Sequence, residues 1–356
     1  MRKLASVQVI NKIEPIEGAD LIEYATVLGW HVVVKKGEFK VGDLCVYFEI
    51  DSILPEDNPA FDFLKNSKGK QKPLKTKKMR GVVSQGLVMP CYILPTAETF
   101  HEGDDVTEVL KVKKYEPPEI DFYKGMKIAN VKVSTFPSFI PKTDETRVQV
   151  LQEQLNKSVD YKFVTTEKVD GTSFTAFIRD GKFGICSRNM EVSLDAPSPY
   201  SDIAKKYNLK EKFENLRNTI IPYDFAIQGE IIGKAIQKNK YKLEGIDCKL
   251  FNLFNIDRQK DIGFHFSDVT EYTEFAGINL KGIADKLGMQ TVPVLDEDFT
   301  MINDIDKLVE YSKGKSVLNP DQNREGVVFR LKENKILSRY GERISFKAIN
   351  PDFLLE

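Results

Sequence analysis

Glu167-Lys168-Val169-Asp170-Gly171 places a lysine between two carboxylates, where one strand-forming run gives way to the next. A lysine attacks phosphorus only as the neutral amine, so such a role calls for burial or for neighbouring positive charge, often a metal ion, to lower its pKa. Asp170, two residues on, is suited to help hold that ion. Lys-x-Asp-Gly alone also describes an ordinary charged turn. What separates the two readings is the ordered series downstream: Ser187-Arg188-Asn189, Gln228-Gly229-Glu230-Ile231-Ile232-Gly233, Phe251-Asn252-Leu253-Phe254-Asn255-Ile256, Arg324-Glu325-Gly326-Val327-Val328-Phe329-Arg330 and Ser345-Phe346-Lys347-Ala348-Ile349. Upstream, Lys65 to Arg80 holds eight positive charges in sixteen residues with no carboxylate among them. Such a run, with Lys72, Lys75, Lys77 and Lys78 at its centre, can neutralise phosphates and release counterions. A solvated loop is the competing reading.

Composition bounds what these groups belong to. A chain of 356 residues exceeds what one hydrophobic core usually supports, so two domains are expected. With 52 Lys+Arg against 53 Asp+Glu and 41% hydrophobic residues, the chain is neither disordered nor collagen-like. No apolar run is long enough to span a bilayer and the N-terminus lacks a signal-peptide core, which predicts a cytoplasmic protein with no membrane contact and no obligate protein partner. The four cysteines and three histidines are scattered, which disfavours a close metal pair, a disulfide framework, a histidine zinc site and a Ser-His-Asp triad.

These groups need elements to position them. Runs rich in β-branched and aromatic residues predict strands over Ala5–Ile13, Leu21–Leu28, Trp30–Val34, Asp43–Ile50 and Gly86–Pro90, separated by turn signals. Five short strands in about 110 residues suggest a small closed barrel of the oligonucleotide-binding (OB) type. Pro117-Pro118, within Lys111 to Lys124, marks an extended linker. Beyond it, apolar spacing predicts helices over Thr146–Asn156, Ser201–Leu216, Asp268–Leu287 and Ile302–Ser312, with Ser201 and Asp268 as N-caps. Strands are expected at Lys162–Glu167, Ser173–Ile178, Lys182–Cys186, Phe225–Ile232, Lys249–Ile256, Gly326–Leu331 and Arg343–Lys347. Strand pairs joined by short turns imply antiparallel sheets with helices outside them, an α+β fold. The expected division is 1–115 for the OB domain, 116–130 for the linker and 131–356 for the second domain.

The ordered series over about residues 130–350 resembles the motifs of the covalent nucleotidyltransferase superfamily, which contains ATP-dependent DNA ligases, RNA ligases and mRNA capping enzymes. Pro15-Ile16-Glu17-Gly18-Ala19-Asp20, Val32-Val33-Val34-Lys35-Lys36-Gly37, Tyr47-Phe48-Glu49-Ile50-Asp51 and the stretch Phe136 to Gln149 are similar to a clade of RNA ligases of the Deinococcus and Naegleria type, which carry an N-terminal OB module. The chain runs only nine residues past Lys347, which is expected to leave no room for the further domain of DNA ligases and capping enzymes. The resemblance implies an adenylyltransferase domain in which Lys168 attacks the ATP α-phosphate. It further implies that Asp170, Glu325 and Glu230 hold Mg²⁺ or Mn²⁺ through its waters. Glu167, Glu230, Arg188, Phe254 and Lys347 would bind the nucleotide, with Phe254 stacking on adenine and Glu230 on the ribose hydroxyls. Phe251, three residues from Phe254 and so on the other strand face, is expected in the core. Lys142 and Arg147 would bind the outer phosphates. Ser345 departs from the Lys-x-Lys spacing of many relatives, which leaves its role open. The implied reaction joins 3′-OH and 5′-phosphate ends, in this clade at nicks with an RNA 3′-OH strand. The alternative from another class is a non-catalytic RNA-binding OB protein on a decayed scaffold.

Overall fold

The computed structural model describes residues 3–116, 122–123, 126–127, 131–257, 259–261, 279–332 and 344–356. In the N-terminal part, Ala5–Pro15 is the long central strand of a five-stranded antiparallel sheet. Its first half pairs with Leu44–Phe48 and its second half, beyond a bulge between Ile10 and Lys12, pairs with Ile22–Val27. The Leu44–Phe48 strand shows why the sheet curls. Its alternating residues feed two separate cores, Cys45 and Tyr47 one with Trp30, Val46 and Phe48 the other with Phe61. The expected closed barrel is a half-barrel. The outer strands Trp30–Lys35 and Leu87–Pro90 share no ladder among the described residues, and the gap is bridged where Gln85 N donates to His31 O (2.9 Å) and Val33 N to Ser84 Oγ (3.0 Å).

The second part is built from two sheets. The larger runs Lys132–Thr135, Met190–Val192, Lys182–Cys186, Thr172–Arg179, Phe225–Gly233, Ile246–Asn255 and Lys260–Asp261, with Gln290–Thr291 added in parallel. Phe174, Ala176 and Ile178 of one strand and Phe225, Ile227 and Ile231 of the next point to the face covered by helices Pro199–Lys206, Leu209–Thr219 and Leu280–Leu287. The second sheet runs Thr146–Arg147, Ser345–Ile349, Gly326–Leu331, Lys162–Lys168 and Val294–Thr300. Phe163, Val327, Phe329, Phe346 and Ala348 fill its core beneath helix Ile305–Ser312. In both sheets the period of two sends the intervening residues to the opposite face.

Several elements depart from expectation for local reasons. Thr146–Arg147 is a strand, paired in parallel with Phe346 and Lys347, and the helix starts only at Gln152. Tertiary pairing thus captures backbone that apolar spacing alone assigns to a helix. The predicted Ser201–Leu216 helix is two helices, broken at Asn208, whose φ of 50° is left-handed. Its N-cap is Ser198, with Ser201 the reciprocal member of a capping box. Helix Ile305–Ser312 begins late, behind an Asp304 cap. The helix expected over Asp268–Leu287 is described from Leu280, capped by Asn279; the proposed cap Asp268 lies outside the described residues, as do Arg343 and much of the expected linker. Within that linker, Phe122–Tyr123 pairs with Met126–Lys127, and Tyr123 donates its hydroxyl to Asp202 (3.0 Å). Among the described residues no helix is long and apolar enough to cross a membrane.

Candidate active site

The core-averted faces of the two sheets border one cleft of about 1770 Å³, which also reaches the N-terminal domain at Gln8, Glu49 and Asp51. The larger sheet contributes Ser173, Thr175, Gln228 and Glu230; the smaller contributes Thr166, Lys168, Val328, Arg330 and Lys347. Lys168 ends its strand opposite Gly326, and its Nζ lies 2.7 Å from Glu325 Oε2. Two glycines make this approach possible. A Cβ on Gly326 would stand 2.3 Å from Ala348 O, and one on Gly171 would stand 2.2 Å from Ile231 O. The space saved at Gly171 lets its N–H donate to Glu230 Oε1 (3.1 Å).

Burial disfavours charge on Lys168, but Glu325, Glu230 and Asp170 outweigh it and hold the ammonium above its ordinary pKa. The same crowding acts on Glu230, pushed up to about 8 chiefly by burial, with Lys168 opposing and Glu325 and Asp170 adding to the rise. Asp170 is turned toward Lys240, whose Nζ lies 2.8 Å from its Oδ2, and its backbone N donates to the Tyr241 hydroxyl (2.8 Å). Among the described residues no three His, Cys, Asp or Glu side chains converge closely enough to ligate a metal directly. Three clustered carboxyl groups, an all-oxygen donor set, fit a hard divalent ion that keeps its waters and is held at second hand.

Cations converge on the same cleft. Arg188, in the turn after Lys182–Cys186, donates through Nη2 to both oxygens of Asp144 (3.0 and 2.7 Å). Although burial opposes it, Arg188, Lys347, Lys114 and Lys168 hold Asp144 below the usual carboxylate range. Lys142 reaches Asn189 Oδ1 at 3.2 Å. Arg147 lies 4.0 Å from Asp51 and 5.7 Å above the Trp30 ring, which ties the cleft to the N-terminal domain. Lys347 is pushed down to about 7 by burial and by Lys168 and Arg147, against Glu325 and Asp144. The Ser345 hydroxyl donates to Glu145 Oε1 (2.7 Å), which also accepts from Arg330 Nη2 (3.2 Å).

Two placements differ from the sequence expectation. Phe254 is 4% exposed among Ile140, Phe177, Cys186 and Ala226, whereas Phe251 lines the cleft. Counting alternation from 254 to 251 fails because the strand bulges there. Gln228 pairs with Asn252 but Gly229 with Leu250, so Phe251 is an extra residue, and Leu250 and Leu253 both enter the helix-side core. Glu167 lines the cleft, but its carboxylate is engaged, accepting from Ser316 Oγ (2.5 Å) and Val317 N (2.8 Å). Sequence reasoning also missed Arg330, Glu145 and Lys240, because a buried ion pair leaves no local spacing signal. Lys72, Lys75, Lys77 and Lys78 are exposed and outside the cleft lining, but the segment joins its edge at Leu74, which accepts from Asp51 N (2.8 Å) and donates to Ser52 O (2.9 Å).

A family model described as an OB-fold domain matches residues 4–91, and one described as RNA ligase matches residues 161–349, more than half of the chain. No curated protein sequence matches. Among solved structures, an apo Asp-to-Ala variant of the Naegleria gruberi RNA ligase is 34% identical, with a TM-score of 0.83 over 99% of this chain and 97% of that one. A Lys-to-Ala variant of the same ligase with ATP and Mn is 34% identical at a TM-score of 0.82, and its form with PPi is 35% identical at 0.82, each covering 99% of this chain and 98% of that one. An OB-fold domain followed by a nucleotidyltransferase domain with one lysine-centred cleft, matched over nearly the whole length, means that this chain belongs to the RNA ligase family.

Proposed function

We propose that this enzyme is an ATP-dependent ligase that joins RNA 3′-OH and 5′-phosphate ends through a lysyl-AMP on Lys168, at nicks in duplexes whose 3′-OH strand is RNA. The domain limits 1–115 and 131–356, with 116–130 between them, belong to the same proposal. The observation that carries it is Lys168 at the floor of the cleft, 2.7 Å from Glu325 and surrounded by Glu230, Asp170 and Lys347. ATP and a divalent ion are brought to this chain by its likeness to the Naegleria ligase with ATP and Mn.

In the first step the Lys168 amine attacks the α-phosphorus and pyrophosphate leaves opposite it. In the second, the 5′-phosphate of the nucleic acid displaces Lys168 and takes the AMP; in the third, the 3′-OH attacks that phosphate and AMP departs. Each is an in-line transfer that gains from positioning and charge neutralisation. Phe251, rather than Phe254, is the ring available to stack on adenine, across the cleft from Val328. Glu230 accepts from the ribose hydroxyls, Arg188 contacts the nucleotide, Lys347 binds the α-phosphate, and Lys142 and Arg147 hold the outer phosphates. Glu167 acts by position alone, fixing the strand that carries Lys168. A divalent ion held through its waters by Asp170, Glu230 and Glu325 would offset their charge, favour the neutral amine and withdraw charge from phosphorus. The cleft exceeds the usual small-molecule range of about 300–1,000 Å³, which supports a site shared by nucleotide and nucleic acid. The exposed Lys72–Lys78 stretch at its edge supplies a sequence-independent hold on the duplex.

Intact mass after incubation with ATP and Mg²⁺ or Mn²⁺ is expected to show an AMP adduct that Lys168→Ala lacks, and a labelled nick with an RNA 3′-OH end is expected to be sealed. A GMP adduct would point to a capping guanylyltransferase instead. Folded protein that forms no adduct with any nucleoside triphosphate would overturn the catalytic reading.

A further inference from the structure

Beyond the Lys65–Arg80 run, a second basic element stands in the loop that joins Phe225–Gly233 to Ile246–Asn255. It carries Lys234, Lys238, Lys240 and Lys242. Its backbone gathers left-handed residues. Among the described residues thirteen non-glycine positions have positive φ, and five of them fall here: Ala235, Gln237, Lys238, Asn239 and Lys242. Left-handed backbone costs each such residue free energy, so it persists only where the surroundings enforce it, and it gathers at functional sites. The enforcement is visible. Ile236 and Tyr241 are buried anchors, the Asn239 side chain both donates to Leu243 O and accepts from Leu243 N, Asn319 Nδ2 donates to Lys240 O (2.7 Å), and Lys242 pairs with Asp321 (2.6 Å).

The loop is also fastened to the turn that follows Lys168. Gln237 Nε2 donates to Gly171 O (3.3 Å), the Tyr241 hydroxyl accepts from Asp170 N, and the Lys240 ammonium lies 2.8 Å from Asp170 and 3.6 Å above the Phe353 ring. Ala235, Ile236 and Gln237 line the cleft itself. Two lysines are left over. Lys234 and Lys238 are exposed and have no carboxylate partner among the described residues. Exposed lysines on a mobile loop bind phosphate weakly because ordering them has a cost, whereas a pre-stiffened loop has met that cost on folding.

We propose that the Lys234–Lys242 loop is a docking element for the phosphate backbone of the nucleic-acid substrate next to its reacting ends, with Lys234 and Lys238 as the contacts and Lys240 as the fixed link to Asp170. The proposal rests on the joining reaction above. It assigns these lysines to a contact separate from the Lys72–Lys78 stretch, fixed to the catalytic domain rather than to the OB domain. Two anchorages at separate places beside one cleft fit a duplex better than a free nucleotide.

The test measures affinity of the full chain for a labelled nicked duplex with an RNA 3′-OH end across a salt series. Each lost phosphate contact removes about 0.9 from the slope of log affinity against log salt. Lys234→Ala/Lys238→Ala is therefore expected to bind more weakly with a slope shallower by about 2, each single variant to lose about half of that, and Lys234→Arg/Lys238→Arg to keep the parent slope. The single variants decide the matter if the double variant melts early. An unchanged affinity and slope in folded alanine variants would overturn this docking element while leaving the joining reaction standing. A parent protein that binds no duplex at any salt would remove both.

Discussion

In the N-terminal domain Lys72, Lys75, Lys77 and Lys78 stand in solvent, whereas in the cleft Lys168, Arg330 and Lys347 are largely withdrawn from water and ringed by charge. The two sets of cations differ in what their surroundings demand. An exposed ammonium is hydrated and screened, adds little to stability, and acts by summing with its neighbours on a polyanion. A largely buried one must be matched in place, as Lys168 is by Glu325 and Arg330 by Glu145, and removing either partner leaves a charge that water solvates poorly. Chemistry is therefore concentrated where charge is costly to bury, and gathering of substrate where it is not.

The sharpest way to break this contrast is at Lys168. Lys168→Arg keeps a cation opposite Glu325 but cannot yield a neutral nucleophile, so the AMP adduct is expected to vanish while the melting temperature stays near the parent's. An adduct on the arginine variant would show that another residue is the acceptor. Next in size are buried groups. Arg330→Met leaves Glu145 with Ser345 as its donor among the described residues and is expected to lower unfolding free energy by about 3 kcal/mol in urea titration. Phe254→Ala empties a packed cluster and is expected to cost about 3–5 kcal/mol. Phe251→Ala is expected to do the reverse, with modest loss of stability and nucleotide binding weaker by about 1–3 kcal/mol in calorimetry. Equal effects of the two phenylalanine variants on binding would undo the assignment of Phe251.

The exposed set is expected to give the opposite profile. Replacing Lys72, Lys75, Lys77 and Lys78 by Ala should leave unfolding within about 0.5 kcal/mol per site while flattening the salt dependence of nick binding by up to about 4. The smallest effect concerns pH. Lys347, with its pKa near 7, is charged below that value and neutral above it, and only the charged form attracts phosphate. Affinity for a non-hydrolysable ATP analogue is therefore expected to fall between pH 6 and 8, by up to about tenfold across that window, whereas Lys347→Arg should flatten that slope. A parent profile as flat as the arginine variant's would mean that the ammonium stays charged throughout.

Much of the scaffold is local, and so was readable from residues. Alternating apolar residues in Lys162–Lys168, Thr172–Arg179, Phe225–Gly233 and Gly326–Leu331 dictate strands with one core face, and the same alternation sends Lys168, Glu230 and Val328 to the other. The order of the motifs carried the family resemblance, and the lysine run between Lys65 and Arg80 announced itself by composition. The rest needed contacts between residues far apart in the chain. The bulge at Phe251 appears only when Ile246–Asn255 is paired with Phe225–Gly233, and it brings Phe251 to the cleft lining while Phe254 packs under Ile140 and Phe177. Thr146–Arg147 becomes a strand only because Ser345–Ile349 lies beside it. Ser345 meets Glu145 across 200 residues, and Lys168 meets Glu325 across 157. Periodicity is a property of a short window and survives in the sequence; register across a sheet and the matching of buried charges are properties of the assembled fold, where desolvation decides which partners must meet.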